Sequence, residues 1–436
     1  MLDAGIPQDI FYLNHAVGST RIRGFAIGTA VSSAGTAVYI PKGSGHHIAC
    51  NHIGLRASGT GSPGGGGFAA GVLLPYDSNG VIIGTDGDGV DDIAERNVFG
   101  PGAVEALFVD GTINHVIAGN YFGLNAAGTM KLGVGELTLR GDTEGTRVGS
   151  DGDGVSDEAE RNYFAGATNI KVTSGSYDPD GVVIAGNTFG LSPTGALTSS
   201  GIGIDVSGIP LSTNGFEIRD NTFGLVESAI DSFAEGGDVF ITGNTFGIDH
   251  NGTPYGSIVA IRAGGTSSYE ISNNLIRNTE LAGVVIEDTA TLTDSRDNCV
   301  VDNVFGLTHT GTVDKIVFES NWWGDPSGPS IQGPGTGDPV SNRVDFEPWL
   351  TSPAPPCNAA PVAADANFTV SEDAGIGTTV GTVSATDDGT DLDYAITAGN
   401  WSGAFAIDTA DGEITVAKPL DYETIPAYVL TVEASD

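Results

Sequence analysis

Hydrophobic positions along this chain come in short bursts, and the bursts close on one recurring polar phrase. "VIAGNYFGL" (116–124), "VVIAGNTFGL" (182–191), "FEIRDNTFGL" (216–225), "VFITGNTFGI" (239–248) and "CVVDNVFGL" (299–307) each read as an apolar strand, a Gly or polar residue, Asn, any residue, Phe and Gly. Weaker copies are "IACNHIGL" (48–55), "YEISNNLI" (269–276) and "IVFESNWWG" (316–324). The asparagines fall at 97, 120, 162, 187, 221, 244, 274, 303 and 321, with two spacings of 23, one of 25 and one of 42 that is close to two periods. Spacings of 34 and 30 read as one unit plus an inserted loop.

Units of roughly 20 to 30 residues, built from Val/Ile strands and Gly/Asn turns without a helical period, predict a β-solenoid. One coil cannot bury its inward side chains alone; stacked coils pair their strands in parallel and pile like residues on like. The asparagine suits the tight turn because it tolerates the left-handed conformation and can hydrogen-bond to its neighbours above and below. The Phe two positions later predicts an internal aromatic stack. At ~4.8 Å per coil, a dozen coils make a rod of about 60 Å. An array of β-sandwiches would repeat at roughly 100 residues instead.

Glycine, at 66 of 436 residues, stands at about twice its usual share, but without the every-third period of collagen. No stretch reaches the ~18 apolar residues of a membrane span, and the start, "MLDAGIPQDIFYLN", has no basic segment leading an apolar one. Charge changes the picture most. Fifty-five acids face 17 bases, a net charge of −38. Such a surface repels phosphate backbones and anionic lipid, so the expectation is no nucleic-acid partner and no direct membrane insertion, while cations are favoured. Part of that acidity also keeps a strand-rich repeat soluble. The cysteines, Cys50, Cys299 and Cys357, cannot all pair internally and have no zinc spacing. Three free thiols, or a Cys299–Cys357 bridge worth about 4 kcal/mol of loop entropy, are both open.

Two acidic phrases, "GTDGDGVDDIAE" from Gly84 and "GSDGDGVSDEAE" from Gly149, stand 65 residues apart, near three coils. Each places carboxylates at positions 3, 5, 9 and 12 of a twelve-residue calcium loop: Asp86, Asp88, Asp92 and Glu95 in the first, Asp151, Asp153, Asp157 and Glu160 in the second. Gly89 and Gly154 hold the sharp-turn position 6, and Val90 and Val155 offer a carbonyl from position 7. Position 1 is glycine in both, so each loop lacks one carboxylate. The competing reading is a solvated acidic turn with a short helical start at Asp91–Glu95. The repeated "AERN" turn reads as a structural salt bridge through Arg96 and Arg161.

Through those phrases, residues 10–350 resemble the right-handed parallel β-helix repeat proteins of secreted and surface-displayed bacterial type, of pectate-lyase-like architecture. "NWWGDPSGP" (321–329) is the most specific segment of the resemblance. Its tryptophans read as a cap over the end of the core, or else as a sugar platform. The composition then turns to "LTSPAPPCNAAPVAAD", a stiff, extended Pro/Ala linker. Beyond it, "VSED", "GTVSATDDG", "FAIDTADGEI" and "LDYE" alternate as strands in the order of a cadherin repeat, which Pro361–Asp436 resembles. That resemblance implies a lower calcium site from Glu372, Asp421, Glu423 and Asp436. It also implies an upper site at Asp387, where Gly389 replaces the second aspartate of the usual pair and Cys357 stands at a usual Asp.

Enzyme chemistry is the alternative, because many β-helices cleave acidic polysaccharides. The chain has "NTF" where a polygalacturonase-like hydrolase would have NTD, "SGHHI" in place of GHG, and "RIR" (21–23) near the wrong end. His46, His47 and His52 carry metal-capable rings, but neighbours on a strand point to opposite faces. The fold class expected is therefore all-β: a right-handed parallel β-helix over 1–350, a linker over 351–360 and a cadherin-like β-sandwich over 361–436, cut short at its last strand. The function expected is that of an extracellular, secreted or cell-surface calcium-binding adhesion protein whose β-helix binds glycan or a cell-surface protein. The alternative is a calcium-dependent polysaccharide lyase or glycoside hydrolase with its site near 191–215 or 250–268.

Overall fold

A computed structural model describes residues 9–14, 19–28, 35–61, 67–133, 135–175, 179, 181–195, 200–211, 215–224, 226–248, 256–357, 361–386 and 392–435. It divides into two compact units, Met1–Cys357 and Asn358–Asp436.

The first unit is a parallel β-helix. Its described strands form one 14-stranded and two ten-stranded parallel sheets, here A, B and C. A single coil shows the order: Leu137–Arg140 in sheet A, Arg147–Gly149 in sheet B, Tyr163–Phe164 in sheet C, then Thr168–Thr173 back in sheet A. Alternation along each strand sends every second residue inward, and parallel pairing in register turns those residues into columns. Sheet B stacks Ile22, Ile48, Ile83, Ile117, Val148, Ile184, Ile218, Ile241 and Ile271, all buried. Sheet C stacks Phe99, Phe122, Phe164, Phe189, Phe223 and Phe246, with ring centroids 4.6 to 4.9 Å apart and planes within 9° of parallel. Each such contact adds about 0.5–1.5 kcal/mol to the burial of the rings. Ile53 and then Ile27 continue the column at one end, and Ile276 and then Val300 at the other.

The asparagines form a second column beside the rings. From Asn51 through 97, 120, 162, 187, 221, 244, 274 and 298 to Asn321, each Nδ2 donates to the next Oδ1 at 2.8 to 3.1 Å. Nearly every acceptor also takes the backbone N–H of the asparagine before it, as Asn187 N–H donates to Asn221 Oδ1 at 2.9 Å. All ten are buried, so the ladder satisfies groups that would otherwise be stranded in the wall.

Two expectations change here. The left-handed residue is the one before the asparagine in eight of the ten rungs: Cys50, Gly119, Gly186, Asp220, Gly243, Asn273, Asp297 and Ser320 have φ between 55° and 72°, while Arg96 and Arg161, which end the acidic loops, have φ of −50° and −58°. The ladder also passes through Asn298, five residues before the expected Asn303. Strand Cys299–Val301 pairs with Leu275–Arg277, which puts Val300 in the ring column, and a short aliphatic fits there. The look-alike "DNVFG" phrase falls one step later. Phe305 leaves the stack to pack on Val259, Ala282 and Val285, and Asn303 Nδ2 donates to Asp338 Oδ2 at 2.8 Å.

Trp323 is fully buried, with its ring edge-on to Phe318 at 5.8 Å, and Trp322 is buried beside Cys299. Both indoles belong to the core's end, which removes the sugar platform. The segment expected as an extended linker is partly docked: Ala354 is buried with Trp322 and Leu275, Pro355–Cys357 forms a 3-10 turn, and Cys357 is disulfide-bonded to Cys299. Cys50 is free and exposed.

The second unit is a cadherin-like β-sandwich with antiparallel pairing. Thr379–Thr382, Glu413–Val416 and Phe405–Ile407 form one sheet, and Asp393–Ala398 pairs with Thr431–Ser435. Its core is small: Ala404, Phe405, Ile414 and Val416, with Tyr428 edge-on to Phe405 at 5.0 Å. Among the described residues, no helix is long and apolar enough to cross a membrane.

Candidate metal centres

Both acidic loops leave the helix at the end of a sheet B strand, the first after Ile82–Gly84 and the second after Arg147–Gly149. They share one internal design. The position-2 hydroxyl donates to the position-9 carboxylate, Thr85 to Asp92 at 2.6 Å and Ser150 to Asp157 at 2.8 Å. The position-3 amide donates to the position-12 carboxylate, Asp86 to Glu95 at 3.3 Å and Asp151 to Glu160 at 3.1 Å. The position-5 carboxylate accepts the position-7 amide, Asp88 from Val90 at 2.8 Å and Asp153 from Val155 at 2.7 Å. A 3-10 turn, Asp92–Glu95, or one α-turn, Asp157–Glu160, then returns the chain to the ladder.

Carboxylates converge as a result. Ligand oxygens of Asp86, Asp88 and Asp92 lie within 4.8 Å of one another, and so do those of Asp151, Asp157 and Glu160. Asp153 stays outside the second cluster, held by its turn hydrogen bond. Glu95 leaves the first, and groups with Asp86 and His47 instead. Stacking also joins the two loops: Ser156 Oγ donates to Asp92 Oδ2, and Glu160 lies against Gly87, where a Cβ would meet its carboxylate at 2.3 Å. Burial alone would raise the Asp92 carboxyl. Hydrogen bonds from Ser156, Thr85 and the Gly89 and Gly87 backbone outweigh it and hold the carboxyl below its usual range, so it is anionic at neutral pH.

The cations around the loops were not legible as site residues. Arg147 donates through both terminal nitrogens to Glu160 Oε1 at 3.1 Å and stands 3.5 Å from Asp151. Arg23 approaches Glu95 at 3.4 Å, and Arg21 approaches Asp86 at 3.8 Å. The one signal for the hydroxyls was the Thr/Ser shared by both copies at position 2. For the arginines there was none, since Arg21 and Arg23 meet the loop only through stacking. Of the two "AERN" arginines, Arg161 pairs with Glu158 at 3.0 Å. Arg96 instead donates to Gly119 O and Tyr121 Oη, with its guanidinium 4.1 Å over the Tyr121 ring.

In the second unit Glu372 Oε2 accepts the Tyr422 N–H at 3.0 Å, which brings it to the "LDYE" turn. Asp421 accepts from the Thr424 amide and hydroxyl at 3.1 and 2.8 Å. Glu372, Asp421 and Glu423 are exposed and do not by themselves draw three ligand oxygens together. Asp436, which would complete the lower set, and Asp387 of the upper set lie outside the described residues.

Residues 366–436 match the Cadherin domain family. Protocadherin Fat 1 of Homo sapiens is 37% identical over 99 residues, 22% of this chain and 2% of that protein. Protocadherin Fat 4 of Mus musculus is 48% identical over 82 residues, 17% of this chain and 2% of its own length. Protocadherin-15 of Mus musculus is 48% identical over 65 residues, 15% of this chain and 3% of the relative. The chain thus spans only a few per cent of these curated relatives.

Proposed function

We propose that this chain is part of an extracellular, calcium-dependent adhesion protein, in which the β-helix presents a binding surface to glycan or a cell-surface protein and the cadherin-like unit acts as a calcium-stiffened spacer or adhesive module. The match of residues 366–436 to the Cadherin domain family carries the reading. The Cys299–Cys357 disulfide supports an oxidising compartment, and the net charge of −38 favours cation uptake. Calcium is assigned to the Asp86/Asp88/Asp92 cluster, to the Asp151/Asp157/Glu160 cluster with Asp153 at its rim, and to Glu372, Asp421, Glu423 and Asp436. Asp387 would contribute at the upper site.

Calorimetry tests the metal half: the wild type should take up calcium, and Asp88→Ala with Asp157→Ala should lower the number of ions bound. A glycan array and a cell-binding assay, each with and without chelator, test the partner half. Binding that ignores chelator, or no calcium uptake at all, would overturn the reading.

One observation favours an enzymatic second reading. Asp205 and Asp231 are in register on adjacent strands of sheet A, with Lys171 and Arg262 flanking them in the same row. Paired carboxylates are what glycoside hydrolysis uses. New reducing ends from a uronate polymer, lost in Asp231→Asn, would establish that reading over the first.

A further inference from the structure

The two acidic loops share a sequence pattern but not their surroundings. In sheet B, residues Arg21, His47, Ile82, Val116 and Arg147 occupy one row on successive strands. The second loop grows from the strand that carries Arg147, and that permanent cation clamps Glu160. The first loop grows from the strand that carries Ile82, which offers its Glu95 nothing. Glu95 turns instead to His47, one coil earlier, with Oε2 at 3.9 Å from Nε2.

His47 and Glu95 are both buried, and ligand atoms of His47, Asp86 and Glu95 lie within 4.8 Å of one another. Asp86 Oδ1 is buried and accepts no hydrogen bond from any described residue. A buried carboxylate oxygen without a partner carries a desolvation cost that needs an explanation, and a bound ion is one. Arg21 and Arg23 do not supply it. They approach from the outside, at 3.8 Å to Asp86 Oδ2 and 3.4 Å to Glu95 Oε1, with side chains 66% and 40% exposed, and solvent screens such pairs.

We propose that His47, Asp86 and Glu95 form a site for a borderline divalent metal ion of the zinc class. An imidazole nitrogen with two carboxylates is a set that zinc, cobalt or nickel accepts and that calcium, which takes oxygen ligands, does not favour. His47 Nε2 now donates to the Gly84 carbonyl at 2.7 Å. Binding the ion moves that hydrogen to Nδ1 and turns the ring off the Gly84 carbonyl, so that the freed Nε2 lone pair faces the carboxylates and not another oxygen. Donors around a tetrahedral zinc stand about 3.4 Å apart, so the present spacings close by about 1 Å on binding. A water completes the shell. The ion would pin the first loop to the preceding coil, whereas Arg147 holds the second loop to the strand it grows from. The proposal stands apart from the adhesion reading, but it shares Asp86 with the Asp86/Asp88/Asp92 cluster, so His47 is the ligand that tells the two ions apart.

The full chain, stripped with chelator, is titrated with Co2+, whose four-coordinate sites absorb in the visible. The expected result is one equivalent with a ligand-field band, bleached when Zn2+ displaces it. His47→Gln keeps a donor for the Gly84 carbonyl and should weaken Co2+ binding at least tenfold. Asp86→Asn should do the same and remove any Zn2+-induced rise in Tm. No visible band in the wild type, or a natively folded His47→Gln that binds Co2+ as tightly, overturns the proposal.

Discussion

Asp338 is the place where one substitution should make this protein more stable. Its carboxylate is buried under the last coils, and Oδ2 accepts both the backbone N–H and Nδ2 of Asn303 at 3.0 and 2.8 Å. Burial pushes this carboxyl up to about 6; hydrogen bonds from Asn303 and the Asp302 backbone pull down and the Asp302 charge pushes up further, but burial prevails. A folded-state value raised above the unfolded one means that the fold is favoured while the acid is protonated. That contribution is present below about pH 3.8 and is lost as pH rises through 6. A shift of about two pH units is worth about 3 kcal/mol, carried as a penalty at pH 7. Asp338→Asn removes the desolvated charge and keeps an oxygen for both Asn303 donors. The expected gain at pH 7 is about 1–3 kcal/mol, the lower end if the new amide hydrogens find weak partners. Urea unfolding followed by Trp323 fluorescence at pH 7 and pH 3.5 reads it, since the Asp338 amide bonds to the Trp323 carbonyl at 2.7 Å. The gain should vanish at pH 3.5. A variant no more stable than wild type at pH 7, or equally stabilised at both values, would refute the reasoning.

Three further outcomes follow from the same chemistry. His115 is buried, its Nδ1 accepts the Val81 N–H at 3.2 Å, and burial lowers its pKa to about 4. The unfolded chain therefore takes up a proton at about 6.5 that the fold refuses, and stability falls by about 3 kcal/mol as pH drops from 6.5 to 4. Asp338 opposes that slope in the wild type, so the acid loss should steepen in Asp338→Asn unfolding curves. Asn187→Ala removes the partner of the Asn162 amide and one donor each from the Val148 and Ala185 carbonyls and should cost about 2–4 kcal/mol by the same urea assay, with Asp→Asn changes on exposed loops near zero. Reducing Cys299–Cys357, which closes a separation of 58 residues, should cost about 4 kcal/mol and lower Tm, with Cys50→Ser silent.

The coil and its inward columns could be read directly from the chain, because a period near 23 and a fixed strand–Asn–x–Phe order are local properties that stacking merely multiplies. The internal turn chemistry of the acidic loops was equally local: positions 2, 3, 5, 7, 9 and 12 find one another within a single turn. Register was not. "DNVFG" at 302–306 satisfies the phrase better than "DNCVV" at 297–301, yet backbone pairing with Leu275–Arg277 selects Asn298, since a strand is placed by its neighbours and not by its own wording. The docking of Ala354 and the Cys299–Cys357 bond likewise needed the last coil to be in place. So did the surroundings of the loops. His47 meets Gly84 across 37 residues and Ser156 meets Asp92 across 64, because coils one or two apart are close in space however long the chain between them. In a solenoid the repeat writes the wall, while the partners a side chain meets are set by the length of whatever loop is inserted between one rung and the next.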